Sequence, residues 1–525
     1  MAGNSWRSSV ESVIYSSDAV SHDYFGWSLA LSGKWAIIGS FGGLGSTQLW
    51  YKDRYGIWIR HTVLKPFEIT QDHLYGYSVA MTENVALVGC PMVMANGYAY
   101  IFNRNRFNDK WTQAAVLIAK DSTTNGKSGY NFFGGSVSIH GNIAAISAYK
   151  SDMVGAVYIY TLRSYGSWSL SQRLIGRDST YNDYFGRSVS VHGASVLIGS
   201  HCDDDFAYNS GSAYIFTTHD DGLSWTQEAK LVASDPKSAD NFGESVSLYG
   251  DMALIGAKYS DHDQSAGMEA GAAYVFRRIP SSYDQYGRVT WRQETKLVSD
   301  TATPFASFGA SVSISENVAV VGALTEYRNI TGDKQASGCA FLFERSTSTQ
   351  KWTMQAKLEP RHGRTGDYFG KSVALDMGTS TVMVGAYGSD KYGPGSGAVY
   401  IYEPPLLTSV AVIASVHAME FLGKVILVCF LATLLLLGLW RSCLCLGQCL
   451  CPEKSSGNRR RRSRGDRKGG YTKELKLVSR RAFKALSSDS PPEPVKSEAL
   501  RLLFIYFFFI LVEFNRALQY PWDSL

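Results

Sequence analysis

The 525-residue chain lacks the short motifs that usually announce an enzyme. There is no Gly-x-Ser-x-Gly elbow, no His-Glu-x-x-His pair and no phosphate-binding loop, and its 10 histidines form no ligand-spaced cluster. No catalytic residue, cofactor or metal ligand is therefore assigned. The competing reading is a hydrolase or lyase whose site is assembled from distant loops. Cysteine is scarce as well: of 8 residues, only Cys90, Cys202 and Cys339 precede residue 404. Three is an odd number without framework spacing, so packing rather than disulfides is expected to hold this part together. Residues 1–20, MAGNSWRSSVESVIYSSDAV, contain no apolar run of the secretory type. Either this start is internal to a longer product, which is the preferred expectation, or a later apolar segment drives translocation.

What the chain does contain is repetition, and a period of tens of residues changes which folds are considered. An aromatic-Gly pair recurs at Phe25-Gly26, Tyr75-Gly76, Phe133-Gly134, Phe185-Gly186, Phe242-Gly243, Phe308-Gly309 and Phe369-Gly370. Thirteen residues after each of the first six glycines a small residue closes an apolar run: Gly39, Gly89, Ser147, Gly199, Gly256 and Gly322. Gly385 does the same in the seventh copy, two residues late. A third element follows, such as GSAYIF from Gly211 or GAVYIY from Gly397, then a Trp-led fourth, such as WTQEAKLV from Trp225. The fourth element is missing after copy seven, and an unattached one, WRSSVESVIY, begins at Trp6.

Each element is rich in Val, Ile, Tyr and Trp and is bounded by Gly, Asn, Asp or Ser, which predicts strands and turns. Four strands repeated seven times predict an all-β, seven-bladed propeller of four-stranded blades over residues 1–403. An open array would expose raw sheet edges, so the N-terminal Trp6 strand is expected to complete blade seven. In DYFGRSVSVHGASVLIGS, from Asp183, alternation puts Ser188 and Ser190 on one face and Val189 and Val191 on the other. Such small residues suit the innermost strand; a half-exposed sheet with Ser facing water is the alternative.

These residues resemble the FG-GAP repeats of the integrin alpha-chain head, over about three quarters of the chain. The resemblance implies an extracellular propeller used in adhesion or recognition. Integrin repeats often carry a calcium loop between the first two strands, and calcium takes roughly 6–8 oxygen ligands. The corresponding turns here are short, for example Ser32-Gly33-Lys34 and His192-Gly193-Ala194, so the chain looks more like the calcium-free variety. It also lacks integrin leg domains and the Gly-Phe-Phe-Lys-Arg motif.

After a juxtamembrane stretch, 404–420, comes FLGKVILVCFLATLLLLGLW, Phe421 to Trp440, whose length and single charge predict a transmembrane helix. The following 441–500 segment is basic: residues 441–525 hold 17 basic and 8 acidic residues, hidden in a whole-chain net charge of +5. The positive-inside rule makes this tail cytoplasmic and the propeller extracellular or luminal. Its expected partner is anionic lipid rather than nucleic acid. Cys443, Cys445, Cys449 and Cys451 are candidates for palmitoylation, with a zinc site or inert thiols as alternatives. The apolar C-terminal segment 501–525, with LLFIYFFFILV at 502–512, is left as an interfacial segment, a second span or a faulty gene end.

The expected ligand is a protein or glycan. Loops entering the first strand and joining the second to the third share one face of a propeller. Asp23, Asp183, Asp240 and Asp367, with Asn131 in a fifth copy, precede the Phe by two residues and fit Asx-type turns. The long second-to-third loops place Asp203, Asp204, Asp205, Asp261 and Asp263 on an acidic rim. These five are the candidate ligand-binding residues, for a basic ligand or a shared divalent ion; solvated loop charge is the plainer reading. Asn329-Ile330-Thr331 is the one N-glycosylation sequon.

Overall fold

A computed structural model describes residues 6 and 9–404, apart from 44, 68–72, 94–95, 120–130, 262–268, 281–288, 302, 327, 331–332 and 377. Seven four-stranded antiparallel sheets follow one another along the chain. Blade four is typical: Ser188–His192, Ser195–Ser200, Ser212–Thr217 and Thr226–Leu231. Blade seven combines Phe369–Asp376, Thr381–Ala386 and Ala398–Glu403 with the N-terminal Val10–Ile14, which pairs antiparallel with Ala398–Glu403 from Val10↔Glu403 to Ile14↔Val399. The expected strand exchange is present, but the strand starts at Val10. Trp6 precedes it and is buried among blade six and seven residues such as Leu358 and Tyr402.

The core lies between the blades. In Ala156–Leu162 of blade three, Ala156, Tyr158 and Tyr160 pack toward blade two, whereas Val157 and Ile159 pack toward blade four. Both faces of each sheet are covered, which is why the middle strands read as continuous apolar runs instead of alternating ones. The six Phe of the aromatic-Gly pairs are 0% exposed, and Tyr75 takes that place in blade two. Six of these seven rings, all but Phe25, stack edge-on or tilted against their own blade's third strand, as Phe185 does on Tyr214 at 5.3 Å; in blade one Gln48 stands at that place. Burying one such ring contributes roughly 2–3 kcal/mol.

The innermost strands form a closed ring in which each touches the next, and the last, Phe369–Asp376, touches the first, Ser28–Ser32. Their Ser side chains stitch the ring. Ser28 Oγ donates to Gly76 O, Ser78 to Gly134 O, Ser188 to Gly243 O, Ser245 to Gly309 O, Ser311 to Gly370 O and Ser372 to Gly26 O, all within 2.7–2.9 Å. Small side chains on this strand are thus required by the close approach of neighbouring backbones.

The first hairpins are tighter than the sequence suggests. His192 pairs with Ser195 and Ser32 with Trp35, leaving two-residue loops that open on a left-handed glycine, Gly193 at φ 59° or Gly33 at φ 57°. In blade seven Asp376 pairs with Thr381, and this longer loop absorbs the two extra residues that delay Gly385. A two-stranded hairpin, Arg328–Ile330 with Asp333–Gln335, rises from the blade six loop and carries Asn329. Cys90, Cys202 and Cys339 are unpaired. Residues 421–440, the Cys443–Cys451 cluster and the C-terminal segment lie outside the described residues. Among those described, no helix is long and apolar enough to cross a membrane.

Candidate functional site

The aromatic-Gly pair forms the corner of a turn. In all seven copies the N–H after the Gly donates to the carbonyl before the aromatic, as Trp27 N does to Tyr24 O at 3.1 Å and Arg187 N to Tyr184 O at 3.0 Å. The Gly has φ between 86° and 94° in every copy. Both features are those of a type II turn, which needs glycine at its third position. The aromatic at the second position enters the core, leaving the first and fourth residues side by side above it.

The first position is strained. Tyr24, Leu74, Phe132, Tyr184, Asn241, Ser307 and Tyr368 all have φ between 53° and 58°. A bulky residue pays on the order of 1–2 kcal/mol for this left-handed geometry. An aspartate helps to hold it: Asp23, Asp183, Asp240 and Asp367 accept a backbone N–H from Val20, Thr180, Lys237 and Arg364 at 2.5–2.9 Å. These aspartates are turn-formers, as the Asx reading expects. Asn131 instead donates to Asn96 of blade two.

The fourth position is where the copies diverge. Between an invariant Gly and an invariant Ser stand Trp27, Tyr77, Gly135, Arg187, Glu244, Ala310 and Lys371, no two alike. Together with first-position residues and those leaving the second strand, they build one continuous surface. Trp27 lies 5.0 Å from Tyr387, 4.6 Å from Phe41 and 5.6 Å from Tyr77. The series continues through Phe132, Tyr149, Tyr184 and His201 at 5.2–6.4 Å. Tyr368 stacks on Tyr387 at the other end. Most of these rings are half-buried, so an arc of aromatic faces runs from blade seven through blade four around the upper mouth of the ring.

Charge fills the remaining sector. Arg187 grips Glu244 through two bonds, 2.8 and 3.1 Å, and Lys258 reaches the same carboxylate at 2.9 Å. Burial opposes ionisation of Glu244, but the Arg187 charge and hydrogen bonds, then Lys258, overcome it and hold the carboxyl well below the usual range. His201 is pulled by burial down to about 4 and is neutral at pH 7. Lys371 stands 4.2 Å above the Trp27 ring. Burial, then the Arg187 charge, lowers its ammonium to about 8 against the opposing pull of Glu244. Blades seven and four are not neighbours in a ring of seven, so Lys371 and Arg187 influence each other across the channel axis. Three cations therefore lie about one carboxylate, which only Arg187 and Lys258 among them reach.

The rim residues have different settings. Asp203 is 1% exposed and accepts bonds from Ser212 Oγ at 2.7 Å and Tyr214 OH at 2.9 Å, beside Lys230 at 2.9 Å. Asp205 also pairs with Lys230, and exposed Asp204 accepts the Asn209 N–H. Asp261, in the blade five loop, accepts the Glu269 N–H at 2.9 Å. Asp263 lies outside the described residues. Asp203 and Asp205 thus share one lysine, while Asp204 and Asp261 each bond within their own loops.

The mouth was not singled out from sequence, although a signal exists: a residue different in all seven copies, flanked by two that never change. A protein-family model described as FG-GAP repeat matches residues 9–47, 111–160, 168–216, 225–276, 291–343 and 352–402. Most of copy two falls between the matched ranges, yet it forms a complete blade. No curated protein matches the chain.

Proposed function

Because the chain belongs to the FG-GAP repeat family, we propose that it is a recognition protein whose propeller binds its ligand at the upper mouth. One observation carries this reading: seven turns of one geometry, each left-handed at its first residue, present seven different residues, six of them with side chains, to one half-buried surface. Strain concentrated at a single surface is characteristic of functional sites, and aromatic residues with Arg dominate the centres of protein interfaces. The acidic rim is the second reading, resting on exposed Asp204 and on Asp261.

The proposal extends to the whole chain. The propeller is displayed outside the cell by a single span at 421–440, with Asn329 glycosylated. The basic tail meets anionic lipid on the cytoplasmic side, where Cys443, Cys445, Cys449 and Cys451 accept palmitate. Protease treatment of intact cells expressing the tagged chain should remove the propeller and spare the tail. A propeller protected until the membrane is broken would refute the topology.

For the ligand surface, cells expressing the full chain are scored for attachment to matrix-protein-coated wells. Trp27→Ala with Tyr387→Ala should abolish attachment, and Asp204→Ala with Asp261→Ala should leave it intact. The reverse pattern moves the site to the rim.

A further inference from the structure

We propose that Lys371 anchors a single carboxylate, the side chain of an Asp or Glu on a protein ligand, seated at the upper mouth against Trp27 and Tyr387. This rests on the mouth being the ligand surface, and it specifies the chemistry that surface takes.

The first argument is charge. Arg187 and Lys258 are both committed to Glu244, at 2.8 and 2.9 Å. Among the described residues no carboxylate stands within ion-pair distance of Lys371; its one close partner is the face of Trp27. A cation–π contact contributes roughly 0.5–2 kcal/mol, far less than an ammonium loses on leaving water. The depressed ionisation of Lys371 reflects the same deficit. An incoming carboxylate would give Lys371 a counter-charge of its own, so that two carboxylates face the three cations.

The second argument is shape and number. Only one cation at the mouth centre lacks an anion. Lys150, over the Phe132 ring at 4.5 Å, is exposed at its edge. A polyanionic chain would need a row of such groups, whereas one compact ammonium with three donors suits one carboxylate. The surrounding rings of Trp27, Tyr77 and Tyr387 supply apolar contact for the backbone and side-chain stem that carry the acid, as the aromatic centres of protein interfaces do.

The third argument is the cost of keeping Lys371. A methionine would fill the same space over Trp27 without a charge, so the ammonium is retained at the expense of stability. Groups of that kind concentrate where binding requires them.

The test uses the full chain in detergent micelles and a displayed library of cyclic peptides. Binders are first sorted by their dependence on Trp27 and Tyr387. Peptides that need these rings should share an acidic residue whose replacement by Asn or Gln weakens binding at least tenfold. On Lys371→Met the parent peptide should bind at least tenfold more weakly and the acid replacement should then change little, while Lys371→Arg should recover most of the affinity. Lys371→Met should melt no lower than wild type, which separates lost contact from lost fold. Ring-dependent peptides without a required acid, or unchanged binding to Lys371→Met, would overturn the anchor while leaving the mouth as the binding surface. Peptides indifferent to the rings would overturn both. Binding of 3′-sialyllactose at the mouth with no acidic peptide selected would overturn the protein-ligand assignment in favour of a glycan acid.

Discussion

The Ser372 hydroxyl donates to the Gly26 carbonyl at 2.7 Å and so joins blade seven to blade one. The same bond occurs at every junction but one. At the exception, between blades three and four, Ser147 replaces the glycine found in the other copies. There Ser147 Oγ accepts the Ser136 N–H at 2.8 Å, and Ser136 Oγ turns to accept the Val189 N–H at 3.1 Å. The serine on one strand and the glycine on the next are therefore linked: a side chain at the glycine site occupies the space the hydroxyl needs.

Gly199→Ala tests that link. A Cβ there would stand 2.0 Å from the Gly243 carbonyl oxygen and 2.5 Å from Ser188 Oγ. Since the first of these is backbone, about 3 kcal/mol of destabilisation is expected. Ser372→Ala, which only removes one bond, should cost about 1 kcal/mol. Denaturant titration of both variants gives the comparison.

A second fastening lies at the outer edge. The Glu294 carboxylate of blade five accepts from Arg345 and from the Trp352 indole N–H of blade six, and Glu403 of blade seven does the same for Lys52 and Trp58 of blade one. Arg345 is 6% exposed, so Glu294→Ala strands a buried cation at a cost of about 3–5 kcal/mol. Combining Glu294→Leu with Arg345→Met should recover most of that loss in the same titration.

Ring closure by Val10–Ile14 predicts a complementation result. A chain beginning at residue 17 exposes Tyr400 and Tyr402 along the raw edge of Ala398–Glu403 and should aggregate. Adding a synthetic peptide of residues 6–16 should restore a soluble species by size-exclusion chromatography.

Glu244 predicts an acid dependence. Its carboxyl ionises well below its ordinary value in the folded state, so its contribution is full above the ordinary carboxylate range and fades as pH falls below it. The difference in melting temperature between wild type and Glu244→Gln should therefore be largest near pH 7 and shrink as pH drops toward about 3. Asp183, Asp240 and Asp367, raised by burial, act in the opposite sense and are common to both proteins.

The repeating pattern made the blades, their number and the exchanged strand legible, because each depends on local periodicity and on the need to cover an edge. The Asx role of Asp183 was legible for the same reason: the N–H it accepts, that of Thr180, is three residues away. The burial of Asp203 was not, since its lysine, Lys230, lies two strands further along the chain. Nor was the mouth. Trp27 and Tyr387 meet, and Lys371 comes under the Arg187 charge, only after seven blades close on an axis, and no local window contains either pair.

The central claim is that the seven divergent turn residues form the binding surface, and the two ends of the channel provide the cleanest comparison. The opposite mouth is marked by His140 and His192, whose rings lie 4.5 Å apart. The affinity of the strongest selected peptide is measured by titration calorimetry on Trp27→Ala/Tyr387→Ala and on His140→Ala/His192→Ala, each checked for an unaltered melting temperature. A loss of at least thirtyfold, about 2 kcal/mol, is predicted for the first pair with less than twofold change for the second. Equal affinity for the first pair, or a loss confined to the second, would contradict it.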